Sequence, residues 1–194
     1  MPFLVLDIEM TGPEPGWNEI IQLGAELFDD QWNALGTYLQ NVYPENEEAF
    51  TAKSEEVHGL SLDDLEDAPM IYDVIPEFEK WIKSKTNGGP LSKVIICGQS
   101  VIYDINFLRF AYRNEKMHWP YNNKMLDLHT VSYLYFMILE KNGISVPRSL
   151  SLGAVSGFFG FEREEDTHNA LEDAQLTARC FKAIFTKLKD VKMA

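Results

Sequence analysis

A chain of 194 residues that is 45% apolar and carries a formal charge of −13 has material for one domain with a full core. That acidity argues against gripping a long duplex through many phosphates, which needs a basic face, yet it leaves room for an enzyme that takes one strand end. Cys97 and Cys180 are isolated, so neither a disulfide framework nor a zinc site is expected, and a reducing, cytoplasmic setting fits. No signal peptide or membrane span is expected, because the first apolar run lacks a basic leader and no later one approaches ~20 residues.

In chain order, Phe3-Leu4-Val5-Leu6 reads as a buried central strand that leads into Asp7 and Glu9. Side chains alternate along a strand, so these two carboxylates share a face. Two like charges ~4 Å apart at an effective dielectric near 20 repel by roughly 4 kcal/mol, and a divalent cation is the natural counter-charge. A Pro/Gly loop, PEPGWNE, follows. Residues 20–28 and 34–43 read as two strands of a hairpin joined at Asp29-Asp30-Gln31. Ser61 caps a short helix at SLDDL, and a longer helix covers 72–83. Lys80, Lys83, Lys85 and Lys93 surround the TNGGPLS loop and read as solvated lysines more readily than as a strand-binding patch. Residues 94–97 form a second interior strand, followed by a helix in DINFLRFAYRNE, and further helices cover 129–140 and 151–159. Strands first, then strand and helices mixed, indicate three layers around a mixed sheet.

The final helix carries one clean apolar stripe over HNALEDAQLTARCFKAIFTKL. Asn169 and Glu172 have the form of a capping box, which starts the helix near Ala170. Asp173 then falls at the margin of the buried stripe, an unusual place for a carboxylate, and His168 lies outside the helix, free to turn toward it. Asp7, Glu9, Asp104, Asp173 and His168 thus make one candidate constellation, with Asp7, Glu9 and Asp104 at or beyond the carboxyl ends of strands, where open sheets bind ligands. Four carboxylates and an imidazole suit two-metal phosphodiester hydrolysis with Mg²⁺ or Mn²⁺, the histidine taking a proton from water.

These motifs resemble the DEDDh family of 3′-5′ exonucleases, with its ribonuclease-H-like fold. Asp7-Ile8-Glu9 with Thr11-Gly12 is similar to the first motif, Tyr103-Asp104 with Phe107-Leu108 to the second, and His168 with Asp173-Ala174 to the third. IIQLGAELFD and VHGLS resemble further family segments, and the similarity runs from about residue 3 to 188. It implies an α/β three-layer fold, a mixed five-stranded sheet flanked by helices, in a single exonuclease domain over 1–194. It further implies that Asp7, Glu9 and Asp173 hold one metal, that Asp7 bridges to a second on which Asp104 acts through waters, and that His168 is the general base. Met10, Thr11 and Gly12 would face the terminal nucleotide, with Tyr103 and Phe107 as further substrate contacts. Departures are Gln99-Ser100 in place of His-Asn and Pro13 in place of a leucine-like wedge.

Other readings of the same residues are blander. Asp127 in LDLHT is a helix cap, while His58, His118 and His129 lack partners at ligand spacing and are structural. Trp17 and Tyr103 serve equally as stacking or rim aromatics. The activity implied is removal of nucleotides from single-stranded DNA or RNA 3′ ends, with a polymerase or a second copy of the chain as candidate partner. The competing functions are a proofreading or nucleic-acid-binding module whose main role is docking, and an aspartyl phosphatase. The phosphatase is disfavoured because Glu9 stands where a second Asp is usual.

Overall fold

The sheet is built outward from one strand. In the computed structural model, which describes residues 1–163 and 169–189, β1 (Phe3–Met10) pairs antiparallel with β2 (Ile20–Phe28), and β2 pairs antiparallel with β3 (Ala34–Asn41). On its other side β1 pairs parallel with β4 (Ile95–Gly98), which pairs parallel with β5 (Met125–Asp127). The order is β3-β2-β1-β4-β5. Helices are α1 (Ala52–His58), α2 (Leu62–Leu65), α3 (Ile71–Lys85), α4 (Ile102–Asn114), α5 (Leu128–Lys141), α6 (Leu152–Phe158) and α7 (Ala170–Lys189).

Alternation along β1 divides the core in two. Leu4, Leu6 and Ile8 pack with Val74, Phe78 and Ile82 of α3 and with Ile105 and Leu108 of α4. Val5 faces the opposite way, toward Tyr135 and Phe136 of α5, Val155 of α6 and Leu176, Phe181 and Ile184 of α7. The result is the expected three-layer arrangement, a mixed five-stranded sheet flanked by helices. The same period of two continues past Val5, so Asp7 and Glu9 stand on the face that α7 covers.

Several boundaries differ from expectation. The third strand ends at Asn41, and Tyr43 instead makes an isolated bridge with Met70. The helix expected from Asp104 begins two residues earlier, which puts Asp104 inside its first turn. β5 and α1 were not anticipated: β5 is three residues long and carries no apolar run, and α1 has one buried residue, His58. Among the described residues no helix is long and apolar enough to cross a membrane.

Candidate active site

The register of the central hairpin places Gly24 opposite Asp7 and Gln22 opposite Glu9. A Cβ at Gly24 would lie 2.2 Å from the carbonyl carbon of Ala170, so the first turn of α7 rests directly on the β2 backbone. Gln22 Oε1 accepts the Ala170 N–H at 2.9 Å, and Asn169 Oδ1 accepts from Leu171 and Glu172 at 3.1 and 3.2 Å. Four backbone N–H groups open every helix without an intrahelical partner, and three of those at α7 are met here by side chains. The seating brings Asp173 over β1. Carboxylate oxygens of Asp7, Glu9 and Asp173 lie within 4.8 Å of one another, with Glu9 and Asp173 buried.

Asp104 approaches from the neighbouring strand end. It is buried in the first turn of α4, and its Oδ1 accepts the Ile8 N–H at 3.2 Å. It stands outside the three-residue cluster yet feels it. Desolvation pushes the Asp7 carboxyl well above its ordinary range, with Asp104, Glu9 and Asp173 adding repulsion and Arg163 opposing it. Asp104 is pushed up to about 8, first by desolvation; hydrogen bonds from its own and the Ile8 amide pull it back, and Glu9 and Asp127 raise it further. Buried carboxylates that resist ionisation together are a site short of positive charge.

Part of that charge comes from a residue the motifs did not mark. Arg163 Nε lies 2.6 Å from Asp173 Oδ1 and its Nη2 lies 2.8 Å from Oδ2, a bidentate pair. Nothing in FEREED announces this contact, because Arg163 precedes the last helix and belongs to no periodic stripe. The cluster therefore already accommodates a cation, and an all-oxygen donor set of this kind fits a hard divalent ion.

The remaining expected residues separate into several groups. Met10 and Gly12 line a cavity of about 300 Å³ with Glu9, Pro13, Thr51, Ser54 and His58. Thr11 is fully buried: its N–H donates to Glu19 O at 2.9 Å, its Oγ1 accepts from Glu19 N at 3.0 Å, and its carbonyl accepts from Thr51 and Ser54. Its amide is thereby committed to the protein, so Thr11 shapes the cavity and does not face it. Tyr103 is 65% exposed at the start of α4. Phe107, expected at the substrate, is 3% exposed and packs in the core instead, one turn further along the buried side of α4. His168 lies outside the described residues. His58 is buried, its Nδ1 accepting from Leu60 N at 3.0 Å.

Asp127 is the expected cap of α5, accepting from His129 N at 3.2 Å, and it also takes the Ser100 N–H at 2.8 Å. Gln99 Nε2 donates to Leu150 O at 2.8 Å. The Gln99 side chain, one of the two departures from the family pattern, thus helps to fasten the turn that carries Asp104, while Ser100 contributes its backbone N–H. Lys93, by contrast, precedes β4 and stands at the strand end opposite to Asp104, and Lys83 pairs with Glu79 at 2.9 Å.

A model of the exonuclease family, ribonuclease T, matches residues 4–181. The chain belongs to the exonuclease family. Over 97% of its length this chain is 30% identical to the DNA polymerase III PolC-type of Thermotoga petrophila, and it spans 12% of that polymerase's length. It is 26% identical to the 3′-5′ DNA exonuclease Cap18 of Escherichia coli, covering 98% of this chain and 94% of that protein. Among solved structures, the zinc-bound E. coli ExoI–single-stranded DNA complex matches with a TM-score of 0.82 at 19% identity, over 97% of this chain and 41% of that one. The DEDDh resemblance read from the motifs holds, and the fold is ribonuclease-H-like.

Proposed function

We propose that residues 1–194 act as one exonuclease domain that releases nucleoside monophosphates from the 3′ end of single-stranded DNA or RNA. The observation that carries this reading is the convergence of Asp7, Glu9 and Asp173 within 4.8 Å at the end of the central strand, in a chain that matches the exonuclease family over 4–181. Asp7, Glu9 and Asp173 would hold one divalent ion, and Asp7 with Asp104 a second. Mg²⁺ or Mn²⁺ bound there would supply Lewis acidity toward the phosphate oxygens and the attacking water.

The chain's own groups do the rest. His168 takes the proton from the water that attacks phosphorus, the P–O3′ bond breaks with its electron pair on O3′, and O3′ takes a proton from solvent, freeing a 5′-monophosphate and leaving a new 3′-hydroxyl. The cavity beside Met10, Gly12 and Pro13, about 300 Å³, receives the terminal nucleotide. Tyr103, exposed beside Asp104, offers a face on which a base stacks. A second reading, service as the proofreading part of a larger polymerase assembly, is favoured by the PolC-type relative. It concerns the partner and leaves the chemistry unchanged.

Polarity tests the proposal. With Mg²⁺, a 5′-labelled single strand should shorten stepwise, while a 3′-labelled one should yield labelled mononucleotide at once. Internal fragments, or shortening from the 5′ end, would refute it.

A further inference from the structure

Helix α4 presents a second, outward stripe beyond Asp104. Tyr103, Asn106, Arg109 and Arg113 are all exposed and recur every three or four residues, so they stand along one side of the helix. Asn106, Arg109, Phe110 and Arg113 line a groove of about 380 Å³, closed on its far side by Pro15. Pro15 belongs to the same loop that sends Pro13 into the nucleotide cavity. That loop is pinned to α4: a Cβ at Gly16, whose φ is +102°, would come within 2.6 Å of the Phe110 ring. One loop therefore separates two hollows, so that a strand whose last nucleotide filled the first would pass over the loop into the second.

The charges in that groove are unusual for this chain, which has 30 acidic and 17 basic residues. Among the described residues, neither Arg109 nor Arg113 comes within ion-pair distance of a carboxylate. Arg109 instead donates to Asn123 Oδ1 at 2.7 Å and lies 5.2 Å from the Trp119 ring centre, and Arg113 lies 5.0 Å from that of Phe110. Aromatic faces steady both guanidinium groups without neutralising them.

We propose that this groove binds the phosphates of the single strand upstream of the scissile bond; the proposal rests on the exonuclease reading. At ~1.5 Å rise per residue, Arg109 stands ~7.5 Å and Arg113 ~13.5 Å along the helix from Asp104. At ~3.4 Å per stacked nucleotide, these reach about two and four nucleotides upstream. The groove thus favours strands longer than a dinucleotide, independently of base sequence.

Substrate length provides the test. Steady-state rates with Mn²⁺ would be compared on thymidine 5′-monophosphate p-nitrophenyl ester, which has no upstream phosphate, on a dinucleotide and on an octanucleotide. Arg109→Gln/Arg113→Gln should raise KM for the octanucleotide on the order of 10-fold or more, as expected for two lost charge-assisted contacts. Rates on the ester and the dinucleotide should stay within about twofold, and Arg113→Lys should recover part of the loss. An octanucleotide KM unchanged in the double variant overturns the groove and leaves the exonuclease reading standing, as does an equal loss on all three substrates. Wild-type protein inert on every strand end would instead sink the exonuclease reading on which the groove depends.

Discussion

Asp173 gives both of its oxygens to Arg163, and a divalent ion held by Asp7, Glu9 and Asp173 needs at least one of them. Guanidinium and metal are therefore alternatives at one carboxylate. Arg163→Gln should tighten Mn²⁺ binding roughly 10-fold, read by calorimetry, because competition with a charge-assisted pair is removed. The same change should lower the metal-free melting temperature by several degrees, since a buried carboxylate loses a bidentate, charge-assisted pair. Affinity that stays level or weakens would show that Arg163 supports the metal and does not compete with it. Asp104 supplies a second residue-level test. Its carboxyl titrates in the folded protein at about 8, above the ~3.9 of an unfolded aspartate. The folded state thus holds a proton that the unfolded state has lost, so this contribution is complete below about pH 4 and fades as pH rises through about 8. Metal-free protein should melt at a lower temperature at pH 8 than at pH 5. Asp104→Asn, whose side-chain oxygen can still accept from Ile8 N, should flatten that dependence; an unchanged slope would remove Asp104 as its source.

At the scale of elements, the site depends on how α7 sits on the sheet. Gly24 lets the helix backbone approach β2, and Gln22 fastens its first amide. Gly24→Ala puts a methyl group where Ala170 backbone already lies, and overpacking of this kind costs ~1–3 kcal/mol or more. The variant should melt several degrees lower and lose most of its hydrolysis, because Asp173 moves away from Asp7 and Glu9. Normal activity with normal melting would mean that α7 tolerates displacement. This seating also marks where the sequence could be read and where it could not. The alternation of β1, the cap at Asn169 and the stripe of α7 are local patterns, and from them the meeting of Asp7, Glu9 and Asp173 could be read. Gly24 and Gln22 act across the sheet on residues almost 150 positions away, so no local pattern contains them. Arg163 is equally silent, since its role exists only once Asp173 is in place. Phe107 misled for a related reason: it shares a motif and the buried side of α4 with Asp104, but it lies one turn further along, where that side meets the core and not the carboxylate cluster. β5 was missed because three residues make no periodic signal, and only pairing with β4 defines them.

For the whole molecule, a net charge of −13 sets how nucleic acid can be held. Counterion release contributes a slope of roughly 0.7 per neutralised phosphate on a single strand. With Arg109 and Arg113 as the basic groups in the α4 groove, log affinity against log salt should have a slope of only about 1.4 for an octanucleotide. A much steeper slope, measured by fluorescence anisotropy, would reveal a basic surface elsewhere on the chain. The site itself gathers acid where most folds disperse it, which makes metal the central requirement. The most direct measurement is the hydrolysis rate of a 5′-labelled strand as Mg²⁺ is titrated from excess chelator, for wild type and for Asp7→Asn. Expected are no cleavage in chelator, a saturable rise with Mg²⁺, and a variant slower by about 10³-fold or more, a loss of ~4 kcal/mol of transition-state stabilisation, that melts without metal at or above the wild-type temperature. Cleavage unaffected by chelator, or Asp7→Asn protein as active as wild type, would contradict it.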